Sequence, residues 1–169
     1  MRATGSFQYA TSTRILKPLQ ERTYFHLVYA TRHPKGVEKF RDVEQKTFAE
    51  QQSVRQKAQR EHRERKSGQS EIDFGSDVPS GTFQAERKEQ RRKAEVRLMS
   101  LLKKGPMRYK TLQPRILELP LVWNTDLNEI LAQGRRAGQF EITGLGPLER
   151  KPKKDSIIRL KPGSRRSLD

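Results

Sequence analysis

An α+β fold is predicted for this 169-residue chain by three observations. Residues 7–31 hold two runs rich in aromatic and β-branched side chains. Residues 86–136 hold three segments whose apolar positions recur at helical spacing. Residues 140–160 hold two short alternating runs on either side of a basic loop.

Taken in order, residues 7–16 and 24–31 read as a β-hairpin, with turn-like Pro18 in the connection at 17–22. A lone hairpin is marginal in water, so this one is expected to belong to a larger sheet or to pack on another element. Thr31-Arg32-His33-Pro34-Lys35-Gly36 then turns the chain into a helix whose Val37, Phe40 and Val43 share a side. The helical pattern continues to Lys66, but its apolar face fades. Glu61 and Glu64 interleave with the cations there, so the second half reads as a solvated extension, with a basic arm that orders on a partner as the alternative. His33 reads as a turn residue, because no carboxylate, Cys or second His stands near it. His26 in the strand and His62 in the charged run give no metal-ligand spacing. The Gly- and Ser-containing stretch at 67–83, with Pro79, is expected to be a flexible linker.

Beyond it, 86–104 places Ala94, Leu98, Leu101 and Leu102 on one helical face, and Gly105-Pro106 stops the helix. Thr111 is the expected cap of a second helix that turns Leu112, Ile116 and Leu119 inward, with Pro114 in its first turn and Pro120 ending it. Asn124 or Thr125 is the expected cap of a third, carrying Leu127, Ile130 and Leu131, with Gly138 just past its end. Phe140 and Ile142 alternate as one strand, and Ile158 and Leu160 as its partner.

Three helices followed by two strands and a basic loop is the order of a winged helix-turn-helix, in which a helix meets a nucleic-acid groove and the loop reaches the neighbouring backbone. The outward face of the third helix is expected to draw on Asp126, Asn128, Glu129, Gln133, Arg135 and Arg136. Asn, Gln and Arg match base edges, and Arg also pairs with phosphate. Arg150, Lys151, Lys153 and Lys154 put four cations into five residues of the loop, a concentrated phosphate-seeking group that fixes register without reading sequence. Asn128, Gln133, Arg135, Arg136, Arg150, Lys151, Lys153 and Lys154 are therefore the expected nucleic-acid-binding residues. A solvated helix face and a loop made basic for solubility are the plain alternatives.

Composition agrees with a nucleic-acid partner. The net charge is +16, with 36 Lys and Arg against 20 acids. Residues 84–169 alone carry 21 cations against 10 acids, so most of the field lies in that half. No apolar run approaches a membrane span and no signal peptide is visible, so a cytoplasmic location and no membrane partner are expected. With no Cys, the chain makes no disulfide, thiolate zinc site or Cys nucleophile.

Tyr24-Phe25-His26-Leu27-Val28-Tyr29-Ala30-Thr31-Arg32-His33-Pro34-Lys35-Gly36 and Phe40-Arg41-Asp42-Val43 resemble the end of the methyltransferase-like domain of three-Cys-motif partner proteins. Thr125-Asp126-Leu127-Asn128, Ile142-Thr143-Gly144-Leu145 and Glu149-Arg150-Lys151-Pro152-Lys153 resemble the winged helix that closes those proteins. The resemblance runs over nearly the whole chain. It implies that residues 1–66 are the terminal hairpin and helix of an incomplete methyltransferase-like domain and that 84–163 are the winged helix; residues 164–169 are expected to be a disordered tail. It also implies partnership with a three-Cys-motif protein. Family members hold S-adenosylmethionine at a Gly-rich turn nearer their N-terminus. This sequence has no Gly-rich turn after an apolar strand, so the chain is expected to hold no cofactor and to perform no reaction by itself. A split or truncated methyltransferase-like enzyme, with the winged helix binding substrate or a protein partner, is the alternative. Residues 84–169 are expected to fold alone.

Overall fold

The computed structural model describes residues 6–20, 22–68, 81–146, 149 and 151–161. Within them the chain is a mixed α+β protein with four helices and two small antiparallel sheets. The expected tail at 164–169, Arg150 and most of the expected linker fall outside the described residues.

Strands β1 (Tyr9–Leu16) and β2 (Thr23–Thr31) form the expected hairpin, pairing from Tyr9↔Thr31 to Ile15↔Phe25 before the register shifts at Leu16. Helix α1 (Pro34–Ser67) begins on a proline, whose missing N–H has no helical partner to lose. It ends at Gly68, which takes a φ of 70° and donates its N–H to the Glu64 carbonyl at 2.8 Å.

The inward face of α1 differs from the expected one. Val37 is fully buried, Phe40 is half-buried and Val43 is exposed; Arg41, Glu44, Gln52 and Arg55 fill the rest of the buried stripe. Those positions recur at helical spacing, so the helix is amphipathic in geometry while hiding polar groups. Arg55 donates from Nε to the Lys17 carbonyl at 3.1 Å and from Nη2 to the Gln20 carbonyl at 3.2 Å. The middle of α1 is therefore laid along the hairpin turn, and the expected solvated extension is confined to its last turns, where Glu61, His62, Arg63, Arg65 and Lys66 are exposed.

Arg41 is the junction of the molecule. Its side chain has no exposed surface, and it donates to the Leu117 carbonyl at 2.9 Å, the Ser12 carbonyl at 3.2 Å, the Glu44 carboxylate at 2.7 Å and the Thr11 hydroxyl. The other Glu44 oxygen accepts from the Trp123 indole at 3.1 Å. A buried charge is tolerable only when paired and hydrogen-bonded, and this one is both.

Helix α2 (Gly81–Lys103) opens before the expected position at 86. Its Phe83 is buried, with its ring stacked on Phe48 of α1 at a centroid separation of 3.8 Å. The stretch expected as linker thus contributes Ser67 to α1 and residues 81–83 to α2.

Ala94, Leu98 and Leu102 of α2 face the core as expected, and Leu101 is partly buried. A two-residue strand β3 (Met107–Arg108) follows, then α3 (Tyr109–Leu117), α4 (Asn124–Arg136), β4 (Phe140–Ile142) and β5 (Ile157–Leu160). The second sheet has the order β3-β5-β4, with Phe140↔Leu160 and Ile142↔Ile158 on one side of β5 and Met107↔Ile158 on the other. Leu112, Ile116, Leu117, Leu127, Ile130, Leu131, Phe140, Ile142 and Ile158 join the α2 residues in one apolar core. Val37 of α1 lies in that same core, so the residues on both sides of the expected linker are packed together.

Three expectations about the helix ends are corrected. Thr111 is the third residue of α3 and not its cap; the cap position is Arg108, and the first amides of the helix, from Tyr109 and Lys110, donate to the Ser156 and Lys154 carbonyls at 2.8 and 3.0 Å. Pro114 consequently lies inside the helix, beyond its first turn. Helix α4 is capped by Trp123, not by Asn124 or Thr125: the Asp126 carboxylate accepts the Trp123 N–H at 2.9 Å, one half of a capping box at the positive end of the dipole. The far end of α4 is as expected. Gly138 has φ 71° and donates to the Arg135 carbonyl, and Gln139 donates to the Gly134 carbonyl at 2.8 Å, the two bonds of a Schellman motif.

Tyr109 at the start of α3 is buried, and its hydroxyl donates to Asn128 Oδ1 at 3.0 Å. Burial first, and the charge of Glu38 second, push its phenol from 10 up to about 12. A raised pKa contributes stability that is complete below the unfolded value and is lost as pH climbs through the folded one. Between pH 10 and about 12 the protein is therefore expected to lose about 2–3 kcal/mol through this group. Tyr109→Phe should start about 1 kcal/mol lower for the missing hydrogen bond and should lack that part of the alkaline decline. Denaturant midpoints across alkaline pH measure it.

Candidate nucleic-acid interface

Helix α4 buries Asp126, Leu127, Ile130, Leu131 and Gly134, which leaves a ridge of Thr125, Glu129, Gln133 and Arg136 in solvent at i, i+4, i+8 and i+11. Gly134 is required on the inner side, since a Cβ there would collide with the Phe140 ring of β4. Helix α4 therefore rests directly on the sheet that carries the basic loop.

Of the residues expected on the outward face, Asp126 is not there. It is buried, capping α4 and accepting from Arg87 Nη2 at 2.7 Å, while the Arg87 guanidinium covers the Trp123 ring at 3.7 Å from its centroid. Asn128 is half-buried, with its carbonyl oxygen held by the Tyr109 hydroxyl, so its amide nitrogen is the end left for a ligand. Glu129 is exposed and paired with Arg91 of α2 at 2.9 Å. Gln133 is exposed. Arg136 is exposed, with Nε on the Ala132 carbonyl one turn back at 3.4 Å.

Arg135 has a different position from the one its sequence context suggests. Its Nη1 donates to the carbonyls of Gly146 at 3.2 Å and Glu149 at 3.3 Å, and its Nη2 to those of Leu145 at 3.4 Å and Gly146 at 3.2 Å. The guanidinium is a bracket between α4 and the segment after β4. Arg135 is accordingly removed from the exposed face of α4 and holds the segment after β4 in place. Arg135→Ala is expected to raise amide hydrogen exchange around 145–153 by about tenfold or more, for a loss of about 1–2 kcal/mol of local stability, and to leave exchange within α2 unchanged.

The loop between β4 and β5 keeps Lys151, Lys153 and Lys154 exposed. They are not an undiluted cation cluster. Glu149 lies 3.5 Å from Lys153 Nζ, and its carboxyl is held below the usual range by the Gly146 N–H first and by Lys153 second. Asp155 is held low by the Lys110 ammonium at 2.9 Å. A tight turn, with Ser156 N–H donating to the Lys153 carbonyl at 3.0 Å and Lys153 N–H to Ser156 Oγ at 3.1 Å, puts Lys154 and Asp155 at its tip. Lys154 stands beside Asp155, whose carboxyl its charge also helps to lower, after the Lys110 ammonium. The first two amides of α3 are occupied by carbonyls of this loop, so they are not open to phosphate.

The structure thus brings Gln133, Arg136 and Asn128 onto one side of α4 and ties the basic loop to the same helix through Arg135. Thr125, whose sequence context suggests a cap, joins the ridge. Among the described residues no helix is long and apolar enough to cross a membrane. No protein-family model, curated protein or solved structure matches the chain.

Proposed function

We propose that residues 84–163 are a winged helix-turn-helix module that binds double-stranded DNA in the cytoplasm, without performing a reaction and without a cofactor in this chain. Helix α4 is the element that enters the groove, and the loop between β4 and β5 is the wing. The observation that carries this reading is Arg135: it fastens the basic loop to the helix whose exposed ridge holds Gln133 and Arg136. Groove and backbone are met by one rigid surface. The three-stranded order β3-β5-β4 around three helices supports it further, as does the excess of cations in this half of the chain.

DNA is favoured over RNA by shape. The B-form major groove admits an α-helix, and the deep, narrow A-form groove does not. Gln133 and the Asn128 amide suit adenine edges, Arg136 suits guanine or phosphate, and Lys151 and Lys154 suit phosphate. The resemblance to the closing winged helix of three-Cys-motif partner proteins points the same way. Fluorescence anisotropy of the full chain with a DNA duplex and the RNA duplex of the same sequence tests the proposal. Tighter DNA binding is expected; equal affinities, or none, would contradict it.

A further inference from the structure

The most apolar exposed surface of the molecule lies away from α4. Strand β2 carries Tyr24, Phe25, Leu27, Val28 and Tyr29, each between 36% and 67% exposed. These side chains alternate between the two faces of the strand, so both faces are apolar and open. Strands that read this way are ordinarily interior strands of a sheet, paired on both edges. Here β1 takes one edge, and among the described residues no strand pairs with the other. The nine residues of β2 contain no Asp, Glu, Lys or Arg in a chain that is 33% charged, and charges are what commonly protect a free edge.

The helix layer is open on the same side. Gly36 and Phe40 set the flank of α1 that faces β2: a Cβ on Gly36 would press on the Tyr29 hydroxyl, and the Phe40 ring stacks on Tyr29 at 5.2 Å. At 100° per residue, Val43 and Val54 fall on that flank, and they are 59% and 61% exposed. The opposite flank is taken, with Asp42 accepting from Asn124 of α4. The protein therefore has an unfinished two-layer edge, a strand with a helix beside it.

We propose that this edge is closed by a second copy of the chain, with β2 pairing antiparallel to β2 across a two-fold axis. A partner must supply both a strand in line with the sheet and apolar surface in line with the helix layer, and a second copy supplies both. The midpoint of Thr23–Thr31 is Leu27, and pairing about it is self-complementary. Leu27 meets Leu27 and Phe25 meets Tyr29 on one face, while Tyr24 meets Ala30 and His26 meets Val28 on the other. No like charges are set opposite each other. The exposed apolar groups of β2 and of the two valines amount to roughly 600 Å² per copy, so at most about 1,200 Å² is buried in all, the lower end for a stable dimer.

The test uses the full chain freed of nucleic acid. Sedimentation across the micromolar range is expected to show a dimer, and Leu27→Lys to weaken it at least tenfold, since two ammonium groups then face each other on the axis. Because Leu27 is half-exposed, dichroism of the variant should be unchanged. Leu27→Cys gives a chain with one thiol, and mild oxidation is expected to join two copies through it, as directly opposed strand positions lie about 4.5–5.5 Å apart. Should Leu27→Lys fail to fold, the cross-link alone decides. A monomer throughout would overturn the proposal, including one that pairs only with a different polypeptide. So would a dimer that neither Leu27→Lys weakens nor Leu27→Cys cross-links.

Discussion

Replacing Arg41 by Ala is expected to lower the free energy of unfolding by about 3–5 kcal/mol, among the largest single-residue effects in the molecule. Burial pulls this guanidinium below its ordinary range and Glu44 opposes that pull, so the charge is tolerable in the interior only because of its partners. Without it, Glu44 is left buried with the Trp123 indole as its remaining donor, and the carbonyls of Leu117 and Ser12 lose theirs. These groups belong to β1, α1, α3 and the α3–α4 connection, so the loss falls on the contact between the hairpin and the helical unit. Arg41→Met with Glu44→Gln removes both charges and is expected to cost less than Arg41→Ala alone. Urea unfolding followed separately by far-ultraviolet dichroism and Trp123 fluorescence measures both variants. One shared transition is expected in the parent protein, because Val37 and Leu127 sit in the same core.

Changing Arg150, Lys151, Lys153 and Lys154 together to Ala is expected to weaken DNA binding across all sequences. The slope of log K against log salt should flatten by about 2–3, at about 0.9 for each phosphate no longer neutralised. Four cations do not neutralise four phosphates in full, since Lys153 already has Glu149 beside it. Gln133→Ala should behave in the opposite manner: about 1–3 kcal/mol of discrimination disappears at one base position, with the salt slope unchanged. A wing variant with unchanged affinity and slope would leave the loop as a solubility device.

Much of this architecture is legible in the sequence because it depends on local periodicity. Leu127, Ile130 and Leu131 mark the inner face of α4, and Phe140, Ile142, Ile158 and Leu160 alternate through the two strands that pair. What is not legible depends on partners far along the chain. Strand β3 has two residues, too few for a pattern, and exists because β5 pairs with it some 50 positions later. Helix α3 starts early because loop carbonyls at 154 and 156 take its first amides, which no residue near Thr111 announces. The expected apolar side of α1 fails at Val43 because the helix buries Arg41 and Glu44, whose satisfaction requires β1 and α3.

The site divides along the same line. Gln133 and Arg136 are identifiable from their place opposite an apolar stripe. Asp126 and Arg135 share that polar spacing, yet one is a buried cap held by Arg87 and the other a bracket on backbone carbonyls of an irregular segment. Composition places a cation on a helix, but it does not say whether the cation faces a ligand or its own loop.

The most direct measurement is nuclear magnetic resonance mapping of backbone amides and Arg and Lys side chains during titration of the full chain with a DNA duplex. The largest changes are expected at Thr125, Asn128, Gln133 and Arg136 and at Lys151, Lys153 and Lys154, with Arg135 keeping the exchange protection of its bracket. Changes confined to α1 or to the exposed face of α2, with α4 and the loop silent, would show that the cations bind by charge alone and would contradict a groove-reading role for α4.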